Sequence, residues 1–289
     1  MTIESLAHAK INLNLHILPR SPSGEYTPLS LINHQIGIFD RLTYIKQKRD
    51  IDLEYLIPGD LPPKDDNLVY RAAELLKKTT GNSELGARII LEKNIPITAG
   101  LAGGSTDAAN TIVNLVKLWD LKLSKQQIFE IANSLGKDVP YFLIGGLCQL
   151  SEFGNVVSKI NMKFPHFDLL IVYPNDSNKP STKWMFQHLD FSLLGKNLFK
   201  VDQLLDGIKN GNKDQILANL HNDFEPLAFN SFPEIKKIIS DLEGSDSDAT
   251  SMAGAGLTII GYFKSLEKCQ AAFHRLSEKY SKIFLTETK

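Results

Sequence analysis

The sequence predicts an α+β protein with two domains. Its 289 residues are more than one average hydrophobic core holds, so two domains of medium size are expected. Strand-like and helix-like segments alternate along both halves, and a composition of 43% hydrophobic and 22% charged residues is ordinary for a folded protein. We expect the first domain to comprise residues 1–152 and the second to comprise residues 153–289.

The first half is predicted to contain two strands with a helix between them. Leu42 and Tyr44 alternate with polar neighbours, and the apolar residues 89–91 follow Gly86, so both segments have the pattern of strands. The intervening segment has apolar residues at helical spacing, and the preceding pair 65–66 consists of aspartates, which favour a helix N-terminus. The residues predicted to face the sheet are Leu68, Ala72, Leu75 and Leu76.

A second helix is indicated by a capping box. Ser124 is followed three residues later by Gln127, and Gly136 provides a stop signal. Asp138 lies just beyond this helix, in the predicted turn. The apolar residues of the helix are Ile128, Ile131, Ala132 and Leu135.

The C-terminal part is predicted to form a strand at 258–263, a helix at 265–280 and a strand at 283–285. Because strands and helices alternate here as well, the second domain is expected to be α+β. The polar, glycine-containing stretch 244–251 is predicted to be a mobile loop. The helix residues expected to point inward are Cys269, Ala272, Phe273 and Leu276.

Charge and cysteine content exclude several classes of function. Lys and Arg total 32 against 33 Asp and Glu, so no broad positive field is available to bind nucleic acid or an anionic membrane. The two cysteines lie far apart, which argues against a disulfide framework or a zinc site and favours a reducing cytoplasm. The start of the chain is unlike a signal peptide. The most apolar stretch of the whole sequence, 139–150, is too short to span a bilayer. Any anion site must therefore be local.

The segment NIPITAGLAGGSTDAANTIVNLVKLW is predicted to hold phosphate groups. A strand-like run ends at Pro96, small residues follow, and a helix begins near Ser105. Glycines let the backbone approach a ligand, while free amides and the dipole at the helix N-terminus favour an anion. The segment fits neither the dinucleotide-fold nor the Walker pattern, and a turn that only packs a helix against a sheet is the structural alternative.

Five segments, in order along the chain, resemble those of the diphosphocytidyl-methylerythritol kinases, a family of the GHMP kinase superfamily. Residues 96–109 resemble the family's PxxxGLGGGSSDAAA motif, with Ala102 in place of one glycine. AHAKINLNL resembles the PAKxNLxL opening, and LGKDVPYFLIGG resembles LGxDVPxxLxGG. HNDFEPLAF and MAGAGLTIIGYF resemble the NDLEP and MSGSGPTVFGLF segments, the latter of which supports the phosphate motif.

The resemblance implies a fold and a reaction. The fold would be the two-domain GHMP kinase fold, with an N-terminal ribosomal-protein-S5-like domain and a C-terminal ferredoxin-like α/β sandwich. The reaction would be ATP-dependent phosphorylation of the 2-hydroxyl of 4-diphosphocytidyl-2-C-methyl-D-erythritol, in non-mevalonate isoprenoid biosynthesis. By the same resemblance, Asp138 would deprotonate the acceptor hydroxyl, and Lys10 would keep Asp138 ionised and stabilise the developing charge.

Each catalytic candidate also has a simpler interpretation. Lys10 alone would be a solvated lysine and Asp138 a turn or cap residue. Lys10, however, lies in an alternating apolar segment, where an unpaired cation is costly. A carboxylate or phosphate partner is therefore expected, and Asp138 is the natural one.

ATP and Mg²⁺ are the implied cosubstrate and metal ion. Magnesium follows from ATP chemistry rather than from a ligand cluster, and Ser105 is its expected protein oxygen. The alternatives for the two adenine-site candidates, Asn67 and Lys93, are a helix-start residue and a solvated lysine. The ATP-binding residues implied by the resemblance are Asn67, Lys93, Pro96, Gly100, Leu101, Ala102, Gly103, Gly104, Ser105 and Thr106.

The implied partner is a small molecule that carries a cytidine diphosphate group. In the family a tyrosine and a phenylalanine sandwich the cytosine, and Tyr26 and Phe186 occupy the matching positions. Thr27 replaces the family's histidine, and Asn155 stands where the family has a glutamate after its GxG segment, with the unexpected Phe153 beside it. Asn12 and Asp138 complete the implied set of substrate-binding residues. The two aromatics have the alternative of simply packing in the core. The expected oligomeric state is a monomer or a homodimer.

Three other functions stay open. Another GHMP kinase, acting on mevalonate, homoserine or a sugar, is favoured if Thr27 has changed the pocket. A non-catalytic GHMP-fold metabolite sensor would bind ATP without turnover. A nucleic-acid-binding domain is disfavoured by the near-neutral net charge.

Overall fold

The computed structural model describes residues 1–19, 27–56, 62–97, 99–175 and 181–289. Within these ranges it has two β-sheets. The strands are β1 (Thr2–Ile17), β2 (Leu29–Lys48), β3 (Ile51–Tyr55), β4 (Leu85–Glu92), β5 (Cys148–Ser151), β6 (Val156–Lys159), β7 (Asp168–Val172), β8 (His221–Asn222), β9 (Ala249–Met252), β10 (Ile259–Phe263) and β11 (Ile283–Glu287). The α-helices are α1 (Leu68–Thr80), α2 (Gly103–Leu118), α3 (Lys125–Leu135), α4 (Val139–Ile144), α5 (Thr182–Gln187), α6 (Phe199–Asn210), α7 (Lys213–Ala218), α8 (Glu225–Ser231), α9 (Pro233–Glu243) and α10 (Leu266–Ser277).

The first sheet is built around the long antiparallel pair β1 and β2. Its main strand order is β3-β4-β2-β1-β8, and β5 pairs with both β2 and β6. From Ala7 to Ile17, apolar side chains occupy every second position of β1 and are buried, as alternation along a strand requires. The residues between them include Lys10, Asn12, Asn14 and His16, which are polar and also buried. Strand β1 therefore carries a row of buried polar groups through the core.

Helix α1 covers this sheet and confirms the predicted helix. Asn67 is its N-cap, and its side-chain oxygen accepts a hydrogen bond from the Val69 amide at 2.8 Å. The aspartates at 65–66, predicted to mark the N-terminus, lie instead in a preceding 3₁₀ turn. Of the four residues predicted to face the sheet, Ala72 and Leu76 are confirmed as buried, whereas Leu68 and Leu75 are only partly buried. The fully buried residues are Val69, Ala72, Ala73 and Leu76.

Helix α3 has the predicted capping box. The Ser124 hydroxyl accepts from the Gln127 amide at 3.2 Å, and the Gln127 side chain accepts from the Ser124 amide at 2.9 Å. Gly136 follows the helix, as predicted. The turn after Gly136 leads directly into Asp138, which immediately precedes α4.

The second sheet has the order β11-β7-β10-β9. The predicted strands and helix near the C-terminus are confirmed as β10, α10 and β11. The stretch 244–251, predicted to be a loop, in part forms β9, because its last residues pair with β10. The domain boundary stays a prediction, and β6, which follows it, still pairs within the first sheet. No helix among the described residues has the length and apolar character needed to cross a membrane.

Two histidines lie in the core of this fold. His16 in β1 has no exposed surface, and neither of its ring nitrogens has a hydrogen-bond partner within the described residues. His34 in β2 is also buried. Burial lowers the pKa of each imidazole from 6.5 to about 4, because the charged form loses its hydration. Both side chains are therefore neutral in the folded protein at neutral pH.

We expect the free energy of unfolding to fall as the pH is lowered from 7 to 5. Below pH 6.5 the unfolded chain binds protons at these histidines, whereas the folded chain binds them only near pH 4. The loss should be about 2 kcal/mol per histidine at pH 5. Urea denaturation at the two pH values measures it. The variant His16→Asn should lose less stability on acidification than the wild type, and replacement of the exposed His274 by glutamine should leave the loss unchanged. Equal pH dependence in the wild type and His16→Asn would contradict the assignment.

Candidate active site

A cavity of about 1150 Å³ lies between the start of α2, the polar row of β1 and the C-terminal half of the chain. Its volume exceeds the roughly 300–1,000 Å³ of a pocket for one drug-sized ligand, so it has room for two substrates. The residues predicted from sequence that line it are Lys10, Asn12, Thr27, Asn67, Lys93, Pro96, Gly100, Ala102, Gly103, Gly104, Ser105, Asp138 and Phe186. One cavity thus contains the glycine-rich loop and both candidate catalytic residues.

The loop before α2 presents unblocked backbone to the cavity. Helix α2 begins at Gly103, and its N-cap Ala102 has no side-chain group that could cap the first amides. Ala102 adopts a left-handed conformation with φ of 58°, which costs about 1 kcal/mol relative to glycine. Gly103 and Gly104 line the cavity at this helix end. The first amides and the helix dipole are therefore placed to bind an anion.

The loop is held from behind by residues of the C-terminal half. A Cβ atom on Gly100 would overlap the Ala253 carbonyl oxygen and lie 3.0 Å from its carbon, and one on Gly256 would lie 2.7 Å from the Ala99 oxygen. Gly100 also has φ of 81°, which L side chains rarely adopt. The close approach of these two backbone segments therefore requires glycine at both places.

Lys10 connects β1 to the loop. Its ammonium donates to Asn12 Oδ1 at 2.9 Å and to the Gly100 carbonyl oxygen at 3.1 Å, which leaves one of its three N–H groups for a ligand. Burial lowers the pKa of Lys10, and the negative charge of Asp138 opposes that shift. The expected direct ion pair with Asp138 is not formed, since the ion pairs within the described residues do not include it. Asp138 acts on Lys10 through space, which leaves room for a ligand group between them.

Lys93 is held under the loop by two carboxylates that sequence reasoning missed. Its ammonium contacts Asp40 and lies 3.3 Å from Asp107 Oδ2, and all three side chains are largely buried. Asp40 also accepts from the Asn94 and Ile95 amides at 2.6 and 2.8 Å. Burial raises the pKa of Asp107 well above its usual range, and Lys93 opposes the shift. The alternative of a solvated Lys93 was wrong. The sequence contained a signal for these two carboxylates, since Asp107 belongs to the phosphate motif and Asp40 to a strand that is buried.

Two predicted ATP-binding residues do not line the cavity. Leu101 and Thr106 are buried, and the Thr106 hydroxyl has no hydrogen-bond partner within the described residues. Thr106 lies in the first turns of α2 and faces the core rather than the loop. ATP binding by Leu101 and Thr106 stays a prediction, and it would have to involve their backbone atoms.

The other end of the cavity has an aromatic wall. Phe186 from α5 packs edge-on against Phe224, with ring centroids 5.0 Å apart, and both line the cavity. Thr27 lines it as well, whereas Tyr26 lies outside the described residues. Lys137 and Phe153 also line this part and were not predicted as site residues. Asn12 donates to Asn33 Oδ1 at 2.6 Å while accepting from Lys10, so it orients the lysine.

The fold and this site define a class of small-molecule kinase. The family model for the GHMP kinases N terminal domain matches residues 67–146, which include the loop and Asp138. The model for the GHMP kinases C terminal domain matches residues 204–282, which include the segment behind Gly100.

Comparison with individual proteins narrows the class. The chain is 33% identical over 282 residues to 4-diphosphocytidyl-2-C-methyl-D-erythritol kinase of Caldicellulosiruptor bescii, covering 98% of this chain and 96% of the relative. It is 35% identical over 286 residues to the protein of that name from Thermoanaerobacter pseudethanolicus, covering 99% and 96%. A crystal structure of 4-(cytidine 5'-diphospho)-2C-methyl-D-erythritol kinase matches with a TM-score of 0.82 at 27% identity, covering 99% of this chain and all of the other.

Homoserine kinase from Cytophaga hutchinsonii matches with a TM-score of 0.74 at 16% identity, covering 100% of this chain and 94% of that one, which shows the shared fold alone. The chain belongs to the 4-diphosphocytidyl-2-C-methyl-D-erythritol kinase family of the GHMP kinases. The predicted α+β fold class and family resemblance are thereby confirmed.

Proposed function

We propose that this protein transfers the γ-phosphoryl group of ATP to the 2-hydroxyl of 4-diphosphocytidyl-2-C-methyl-D-erythritol, giving the 2-phosphate and ADP. The observation that carries the proposal is the hydrogen bond from Lys10 to the Gly100 carbonyl oxygen. It places the ammonium at the anion-binding loop, in the same cavity as Asp138. A phosphoryl donor and an alcohol acceptor can therefore meet beside a cation and a base.

ATP would lie with its phosphates on the amides at the start of α2. This arrangement uses the helix dipole and the exposed glycine backbone, which stabilise negative charge without needing a side chain. Asn67 and Lys93 line the cavity beside the loop, and we assign them to the nucleoside end of ATP. Both are fixed in place, Asn67 as the cap of α1 and Lys93 by its two carboxylates.

Mg²⁺ fits the oxygen donors near the loop. The Ser105 hydroxyl and the Asp138 carboxylate line the cavity and are hard oxygen ligands of the type that magnesium prefers. Bound together with ATP phosphates, the ion would neutralise charge on the transferred group. Ser105 is the donor that we assign to it.

The proton and charge transfers follow from the two catalytic side chains. Asp138 accepts the proton of the acceptor hydroxyl. At the same time the hydroxyl oxygen bonds to the γ-phosphorus, and the bond between the γ-phosphorus and the leaving ADP oxygen breaks. Lys10 stabilises the negative charge on the attacking oxygen with its remaining N–H group. Its low-dielectric surroundings strengthen this interaction, because water is excluded from the buried ammonium.

The acceptor's cytosine would bind at the aromatic wall. Stacking on an aromatic ring contributes about 1–3 kcal/mol per base in nucleic-acid systems, and Phe186 offers one such face. Thr27 lines the same region and can donate or accept a hydrogen bond through its hydroxyl. We place the reaction in the cytoplasm, where ATP is abundant and where both cysteines stay reduced.

Turnover of the purified protein tests the proposal. With ATP, Mg²⁺ and 4-diphosphocytidyl-2-C-methyl-D-erythritol, we expect ADP and a 2-phosphorylated product in equal amounts, the latter identified by ³¹P NMR. Mevalonate, homoserine and galactose serve as comparison acceptors and should give at most background ADP. A folded, ATP-binding protein that phosphorylates one of these instead would assign it to another acceptor, and no turnover at all would reject the proposal.

A further inference from the structure

The lysines of the cavity differ in what they contact. Within the described residues, three lysines line the cavity and no arginine or histidine does. Lys93 contacts the carboxyl groups of Asp40 and Asp107, and Lys10 already donates to Asn12 and Gly100. Lys137 is exposed and forms no ion pair or hydrogen bond with any part of the chain that the structure describes. Among the lysines that line the cavity, Lys137 is therefore the one whose ammonium has no polar partner within the described residues.

Lys137 lies beside the catalytic carboxylate and points toward the acceptor end. It directly precedes Asp138 in the turn between α3 and α4. Its ammonium is 4.5 Å from the ring centroid of Phe153, which lies in the turn between β5 and β6. Contact between a cation and an aromatic face favours this position of the otherwise mobile lysine stem.

The turn that carries Phe153 is joined to the wall that we assign to cytosine. The Leu29 amide donates to the Glu152 carbonyl oxygen at 2.7 Å, which fixes the turn next to the start of β2. Thr27 and Leu29 line the cavity here. Lys137 is thus the neighbour of Asp138 in the chain, and its ammonium contacts Phe153. The turn that contains Phe153 lies beside the wall that we assign to cytosine.

We propose that the Lys137 ammonium binds the diphosphate of the acceptor substrate and that Phe153 positions it. The inference rests on the proposed function. A nucleoside diphosphate ester bound with its base at Phe186 and its reacting alcohol at Asp138 must place its diphosphate between these two points. This group carries two negative charges and requires a cation, and an ammonium is a suitable ligand for it.

Binding of two cytidine ligands tests this role. Isothermal titration calorimetry with cytidine 5'-diphosphate and with cytidine gives the contribution of the diphosphate alone. In Lys137→Gln the affinity for cytidine 5'-diphosphate should fall by about tenfold to a hundredfold, the range for a hydrogen bond to a charged group, while affinity for cytidine is unchanged. The exposed Lys125 at the start of α3 is outside the cavity, and Lys125→Gln should leave both affinities unchanged.

Phe153 has its own variant. Phe153→Leu keeps an apolar side chain but removes the aromatic face, so it should weaken cytidine 5'-diphosphate binding by about threefold, and Phe153→Tyr should restore it. Equal loss in Phe153→Leu and Phe153→Tyr would overturn the positioning role.

Two outcomes would overturn the role of Lys137. One is an unchanged ratio of the two cytidine affinities in Lys137→Gln. The other is a selective loss of ATP affinity, which would assign the ammonium to the triphosphate instead. The proposed function is checked separately by wild-type turnover. If turnover occurs and Lys137→Gln has the wild-type KM for the acceptor, the role of Lys137 fails while the proposed function stands. If turnover is absent but diphosphate binding depends on Lys137, the proposed function fails while the role of Lys137 stands for a different acceptor.

Discussion

Replacement of Asp138 by asparagine is expected to lower kcat by about 10³-fold, within the range that positioned general bases contribute. Asparagine keeps the shape of the side chain but cannot accept the proton of the acceptor hydroxyl. It also removes the negative charge that acts on Lys10, so the ammonium should lose its proton more readily. Steady-state ADP release gives kcat, and fluorescence or calorimetric titration gives the affinity for ATP.

The affinity for ATP should change by no more than about twofold, because a group used mainly in the transition state contributes little to ground-state binding. Asp202→Asn, at an exposed position of α6, is the matched control and should retain full activity. Retention of more than about a tenth of wild-type kcat in Asp138→Asn would show that another group accepts the proton.

Replacement of Gly100 by alanine should abolish tight ATP binding and destabilise the protein. The new methyl group would overlap the Ala253 carbonyl, and the positive φ adds strain. Since both neighbours are backbone atoms, the loop has to move away from the C-terminal segment and from Lys10. We expect the free energy of unfolding to fall by about 2–4 kcal/mol and the affinity for ATP to fall by at least about tenfold.

Gly81 provides the control for this prediction. It has a similar positive φ of 66° but nothing within 4 Å of an added Cβ atom, so Gly81→Ala tests strain without collision. It should cost about 1 kcal/mol of stability and leave ATP binding intact. If the two alanine variants were equally stable and bound ATP equally well, the tight packing behind the loop would have no role.

Regular elements with strong local signals could be predicted from sequence. The capping box of α3 uses only Ser124 and Gln127, which are three residues apart, so local chemistry determines it. The strand β9 was missed because its polar sequence has little strand character, and its pairing with β10 stabilises it instead. The inner face of α1 was predicted only in part, because apolar spacing selected Leu68 and Leu75 together with Ala72 and Leu76, and the first two are only partly buried.

In the candidate site, too, some features could be predicted from sequence and others depend on contacts between distant residues. The glycine-rich loop and the candidate pair Lys10 and Asp138 followed from the family resemblance, and the fold brings them into one cavity. The contacts of Lys10 could not be predicted, because its partner Gly100 is distant in sequence and offers a backbone atom that no side-chain pattern reveals. The ion pairs of Lys93 likewise join residues from β2 and α2 to the loop after β4.

We expect the loop at the start of α2 to direct the terminal phosphate of ATP at an alcohol located between Lys10 and Asp138. A crystal structure with a non-hydrolysable ATP analogue, Mg²⁺ and 4-diphosphocytidyl-2-C-methyl-D-erythritol measures this directly. We expect the acceptor 2-oxygen to lie about 3–3.5 Å from the γ-phosphorus, in hydrogen-bond contact with Asp138 and Lys10. A triphosphate bound away from Gly103 and Gly104, or an acceptor alcohol out of reach of Asp138, would contradict it.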